Sequence, residues 1–137
     1  MTARINPPFH ADHVGSLMRP QSLLDARERN HRGEIRDERL RANEDEAVRY
    51  AVNLQEDAGL RSITDGEYRR AYWHVDFMLG FDGIEEMEQA ETVGFQDSDF
   101  KPPVMEVVGK ISHSGSIVGA DFDFLKSVTS QTPKISI

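Results

Sequence analysis

Two short polar clusters carry most of the chemistry legible in this chain. The first is HADHVGS, His10 to Ser16, and the second is the Asp65-Gly66-Glu67 tripeptide with Thr64 before it. His13 supplies an imidazole, Ser16 a hydroxyl beside a glycine, and Asp65 and Glu67 a pair of carboxylates. A carboxylate suits an ammonium group through charge-assisted hydrogen bonds, and the backbone donors of a loop running into a helix suit a carboxylate. Each residue also has a plainer reading: Asp65-Gly66 as a turn, Ser16 as a helix cap, His13 as a hydrogen-bonded loop residue. Arg69, Arg70, Tyr72, Trp73 and His74 follow directly. They join cations to flat rings, as in sites for anionic or heteroaromatic ligands, or else form a helical Trp73/Phe77 core pair with solvated arginines. His10 and His13 would point to opposite faces of a strand, which argues against their sharing a metal. Gly15 alone makes no phosphate-binding loop.

These clusters need elements to position them. Residues 11 to 16 read as a strand ending in a Gly-Ser loop. Ser22 with Asp25 three residues on resembles a capping box, predicting a helix from about Ser22 to Asn30 that Gly33 interrupts. Asn43-Glu-Asp-Glu46 is a second cap signal, and Ala47, Ala51, Leu54 and Ala58 mark one buried helical face ended by Gly59. Leu60 to Thr64 then reads as a strand ending at Asp65-Gly66-Glu67. Strand, helix, strand with short connections is the unit of a parallel sheet, and ligands bind beyond the carboxyl ends of such strands. His13 and Ser16 would close one strand, Asp65 and Glu67 the next.

From Tyr72 to Gly119 glycines separate short apolar runs, Val104 to Val108 and Ser116 to Val118 among them, which suits antiparallel strands. A capped helix is expected from Asp121 to Thr129 with Phe122, Leu125 and Val128 on one face, then a strand from Pro133 to Ile137.

The chain has 137 residues, 24 acidic against 16 basic side chains, a formal charge of -8 and no cysteine. Such a charge argues against an electrostatic nucleic-acid binder. Without cysteine there is no disulfide framework, thiolate nucleophile or Cys-ligated zinc within these residues. No apolar run suits a membrane span and no signal peptide opens the chain, so a cytoplasmic protein is expected. The acidity concentrates in residues 51 to 100, with twelve acidic and three basic side chains, including GIEEMEQAE and FQDSDF. Such runs read as solvated faces.

The phrase FHADHVGSLMRP, then EDAGLRSITDGEYRRAYWHVDF, then PKISI at the end resembles the cobalamin-independent methionine synthase family, nearest its single-barrel members. The resemblance spans essentially the whole chain, and HVGS with TDGEYRR at this separation is its specific part. It implies a (β/α)8 TIM barrel that moves a methyl group from methyltetrahydrofolate to the thiol of homocysteine, with zinc activating the thiolate. It further implies that Val14, Gly15 and Ser16 contact the amino acid's carboxylate and that Glu67 binds its ammonium near the folate. His13, Asp65 and Trp73 are further substrate-binding candidates, with Asp65 at a position that differs among relatives. In the family the zinc ligands include two cysteines and a histidine on later strands. A barrel also needs about 250 residues and eight strands.

The chain is therefore expected to be the N-terminal part of one barrel domain, with about three strands and an antiparallel excursion. It is expected to hold no catalytic or metal residues of its own, to bind no zinc in a defined site, to be inactive alone and to be prone to self-association. Alternatives are a related zinc enzyme acting on another thiol, of the coenzyme M type, and a non-catalytic acidic binding module using the surface from Gly80 to Gly119.

Overall fold

The structure is a computed structural model that describes residues 7, 9–72, 74–87 and 103–137. They form a mixed α/β chain in two compact units. One holds the described residues up to Arg69 together with Gly119–Ser136, and the other holds Arg70–Val118 with Ile137.

In the first unit, α1 (Gln21–His31) and α2 (Asp37–Asp57) precede β1 (Ser62–Ile63), and α4 (Gly119–Val128) precedes β4 (Thr132–Pro133). Helix α1 starts one residue before the expected cap. The Pro20 carbonyl accepts from the amides of Leu23 and Leu24, so Ser22 lies inside the first turn and makes no cap. Helix α2 starts six residues before Asn43: Asp37 and Glu38 place negative charge at its N-terminus, and Asn43 donates within the helix to the Arg39 carbonyl. Its buried stripe is Glu44, Ala47, Val48, Ala51, Val52 and Gln55, whereas Leu54 and Ala58 are exposed. The expected face is thus rotated toward the two valines.

Both helices end as their glycines predict. After α2 the amide of Gly59 bonds to Glu56 and that of Leu60 to Gln55, with Gly59 at φ +82°; after α1 the amides of Gly33 and Glu34 bond to Asn30 and Arg29, with Gly33 at φ +71°. Each pair of bonds is a Schellman closure, satisfying carbonyls left over at the helix end.

Strands β1 and β4 pair in parallel, Ser62 with Thr132 and Ile63 with Pro133. Leu23, Val48, Ala51, Val52, Ile63, Tyr68 and Leu125 form the buried cluster beneath them, joined by Phe124 and Val128 of α4. The strand expected over residues 11 to 16 is absent. Gly15 at φ +90° and a bond from His13 Nε2 to the Gly15 carbonyl (2.8 Å) fold that segment into a loop, and no ladder forms along it. The last strand is also shorter than the expected 133–137. Two of the three expected strands therefore lie side by side, in a two-stranded sheet.

In the second unit, α3 (Val75–Met78) is followed by β2 (Asp82–Met87) and β3 (Val104–Ser112), which pair antiparallel as the glycine-punctuated sequence suggested. Residues 116 to 118 are not a strand. Phe77 meets Phe81 edge-on at 5.5 Å, and a side chain on Gly80 would collide with Ile117.

Candidate functional site

Because β1 and β4 run parallel, their carboxyl ends open on the same side. Thr64 to Glu67 follow β1 there, and Lys134 follows β4.

Gln55 positions the first of these residues. From the buried face of α2, its Oε1 accepts from the Thr64 amide (3.0 Å), and its Nε2 donates to the Thr64 carbonyl (2.8 Å). The side chain thus treats Thr64 as a neighbouring strand would. Thr64 and Asp65 then hold the turn with their own side chains. Thr64 Oγ1 accepts from the Gly66 amide at 3.1 Å, and Asp65 Oδ1 from the Glu67 amide at 2.9 Å. Gly66 sits at φ +70° and Glu67 at φ +58°, the one non-glycine residue with positive φ among those described. A left-handed conformation costs an ordinary residue about 1–2 kcal/mol and persists only when its surroundings enforce it.

The loop from His13 to Arg19 supplies that enforcement. The Leu17 amide donates to the Gly66 carbonyl at 3.1 Å, Arg19 to the Glu67 carbonyl at 3.2 Å, and the Tyr68 hydroxyl to the Met18 carbonyl at 2.8 Å. Arg27 of α1 adds a 2.6 Å bond to the Tyr68 carbonyl. Lys134 reaches the other end of the loop, donating to Asp12 and to the His13 carbonyl, each at 2.6 Å. That Lys134 hydrogen bond, the largest influence on Asp12, holds the carboxyl below its usual range.

The two polar clusters therefore come together, joined through Leu17 and Gly66. Val14 and Ser16 are exposed, Gly15 and Glu67 half-buried, and Asp65 buried as the holder of the turn. His13 closes on Gly15. Trp73 lies outside the described residues. Arg69 departs from the expectation of a ligand-facing cation. Its side chain is 5% exposed, bonded to Asp45 at 2.6 Å, near Glu44 and Asp121, and stacked over Phe124 at 4.7 Å. It belongs to the packing of α2 on α4. Burial pushes the Glu44 carboxyl up, against the pull of Arg27, Arg69 and Arg41.

Gln55, Tyr68, Arg19 and Arg27 were not singled out from sequence. Gln55 alone had a signal there, as a polar residue four positions after Ala51 on an apolar helical face. Beside the loop, Leu17, Met18, Arg19, Leu23, Tyr50 and Tyr68 line a groove of about 800 Å³.

What the arrangement offers is a glutamate on an anchored turn and a Gly-Ser loop at one end of a parallel strand pair. It does not offer a zinc site of the thiolate type: the sequence has no cysteine, and among the described residues no three His, Asp or Glu side chains gather as a metal would require. No helix among the described residues is long and apolar enough to cross a membrane.

No protein-family model matches the sequence. The chain is similar to the uncharacterized protein YxjH of Bacillus subtilis, 38% identical over 131 residues that cover 95% of this chain and 35% of that protein. It is also similar to the crystal structure of a putative vitamin-B12-independent methionine synthase from Listeria monocytogenes, with TM-score 0.71 and 37% identity, covering 93% of this chain and 35% of that one. A 5-methyltetrahydropteroyltriglutamate-homocysteine methyltransferase of Thermotoga petrophila is 24% identical over 93% of this chain and 17% of its own length. The chain thus spans about a third of the length of the first relatives it matches.

Proposed function

We propose, from the premise that its homologues and structural neighbours are cobalamin-independent methionine synthase relatives, that this chain is the N-terminal part of such a methyltransferase barrel. In this reading it supplies the amino-acid-binding end of a site that transfers a methyl group from methyltetrahydrofolate to homocysteine. The Glu67 carboxylate takes the substrate ammonium. Val14, Gly15 and Ser16 border its carboxylate, with backbone amides as donors. His13 and Asp65 hold the loop and the turn in place. Zinc in such an enzyme would have its ligands outside this chain.

The observation carrying the proposal is the strained turn. Glu67 at φ +58° is fixed through its own amide and carbonyl and through both neighbouring residues, and two of those bonds are donated by Leu17 and Arg19 of the loop that follows Gly15-Ser16.

Titrating the isotopically labelled chain with L-homocysteine or L-methionine tests the site. Amide resonances of Gly15, Ser16, Gly66 and Glu67 should shift together, saturably, at millimolar ligand. In Glu67→Gln the carboxylate becomes a neutral amide of equal shape. Loss of a charge-assisted bond worth about 1.5–3 kcal/mol corresponds to roughly ten- to a hundredfold weaker binding. Saturable binding that leaves those four amides unmoved, or a folded Glu67→Gln chain that binds as tightly as the parent, refutes the assignment.

A further inference from the structure

Strand β3 is nine residues long and, among the described residues, pairs on one side only, with β2. Its sequence is VMEVVGKIS, and all but Met105 are exposed, including Val104, Val107, Val108 and Ile111 at 43–60%. Long, apolar, unpaired edges invite another strand, and sheet proteins usually blunt them.

This edge carries charges in a self-complementary arrangement. Glu106 and Lys110 stand two residues to either side of Val108. In an antiparallel pair related by a twofold axis at Val108, Glu106 faces the partner's Lys110, and Lys110 the partner's Glu106. Met105 then lies against the partner's Ile111, and Val107 against the partner's Gly109. Shifting the axis to Val107 or Gly109 places both charges opposite uncharged residues. Charge complementarity thus selects one register.

The hairpin itself adds a second observation. Its register sets Glu85 directly opposite Glu106, a like-charge pair that opposes strand pairing. No acid of β2 stands opposite Lys110, which lies beside the Gly83 bulge. A partner's Lys110 next to Glu106 would offset the repulsion with Glu85, because directly opposed residues share a face.

We infer that β3 is a self-association edge: two copies of this chain join their hairpins through an antiparallel β3–β3 contact centred on Val108, giving a four-stranded sheet with closed twofold symmetry. The inference stands on the hairpin alone and does not depend on the proposed methyltransferase site.

Sedimentation of the chain over a range of concentrations, with charge reversals at the two positions, decides it. The parent should associate as a dimer. Glu106→Lys and Lys110→Glu each convert two opposite-charge pairs into like-charge pairs, so each variant alone should dimerise about tenfold or more weakly. Both sites are exposed, and unchanged circular dichroism confirms that the variants fold. An equimolar mixture of the two variants, and the double swap Glu106→Lys/Lys110→Glu, should both recover parental association. A parent that stays monomeric at every concentration overturns the inference. So does a dimer indifferent to either reversal, or a mixture no stronger than its components.

Discussion

Gln55 is the side chain through which helix α2 sets the geometry of the candidate site, and replacing it gives the sharpest test of that arrangement. It is 2% exposed, and its amide satisfies both backbone groups of Thr64, itself 1% exposed. Gln55→Leu keeps the volume but leaves a buried N–H and a buried C=O without their partner. Each orphan costs about 1–3 kcal/mol, and the added apolar burial returns roughly 1–2 kcal/mol. From the middle of each range the expected loss is about 2–3 kcal/mol, a large share of a typical domain's 5–15 kcal/mol. Gln55→Glu sharpens the logic. Its carboxylate can still accept from the Thr64 amide but meets the carbonyls of Thr64 and Ala51 acceptor to acceptor, where Gln55 now donates to both. Protonation restores one donor, and burial also favours the neutral form, so the folded pKa at residue 55 lies above the unfolded one. The recovered stability is fully present below the unfolded glutamate range and is lost as pH rises through the folded value. Urea denaturation of parent, Leu and Glu chains at neutral and mildly acid pH measures both effects. A Leu variant within about 0.5 kcal/mol of the parent, well below the cost of one buried orphan, would refute this account of Thr64. So would a Glu variant that gains nothing over the Leu variant on acidification.

Two further outcomes are expected. Glu67→Gly removes left-handed strain worth about 1–2 kcal/mol against a comparable unfolded-state entropy cost, so urea midpoints should hold or rise slightly while amino-acid binding by titration is lost. Glu56 and Glu44 should make opposite contributions to stability against pH. The Thr129 hydrogen bond, first among its causes, lowers Glu56, so its contribution is present above the unfolded glutamate range and lost as pH falls through the folded value. Burial raises Glu44, so the fold gains from its protonation as pH falls from neutral toward that range. Glu56→Gln should flatten the acid limb of a urea-midpoint profile, and Glu44→Gln should remove the gain that precedes it.

The sequence was most legible where one residue type answers one backbone need. Gly33 and Gly59 ended helices because only a glycine takes a left-handed position there without strain, and both close the expected way. The antiparallel pairing of β2 with β3 followed from glycine-spaced apolar runs. Cap positions were harder to place. Ser22 and Asn43 have the right chemistry, yet the Pro20 carbonyl and the acids at 37 and 38 begin the helices earlier. The first strand failed for a tertiary reason. His13 closing on Gly15, and Lys134 bonding to Asp12 and His13, hold residues 12–15 as a loop, and no local propensity encodes contacts across 120 residues. Arg69 was misread similarly, since its carboxylate partners come from helices distant in sequence.

The proximity of the two polar clusters was foreseen, but the way they are joined was not. Sequence reasoning placed them at neighbouring strand ends, which would put their side chains in one pocket by sheet geometry. The structure instead connects a loop to a turn through bonds to main-chain carbonyls: the Leu17 amide to Gly66, the Arg19 side chain to Glu67 and the Tyr68 hydroxyl to Met18. That difference bears on function. A turn anchored by main-chain bonds is largely indifferent to the side chain at position 67, and a left-handed residue there favours glycine or asparagine over glutamate. The left-handed geometry of the turn therefore does not itself call for a glutamate. Glu67 is a half-buried residue on a turn that the loop from His13 to Arg19 holds, and its backbone is fixed before any ligand arrives. Preorganisation of this kind lets a charged ligand bind without the entropy loss of ordering its receptor, and the Glu67→Gly substitution separates that role from the fold.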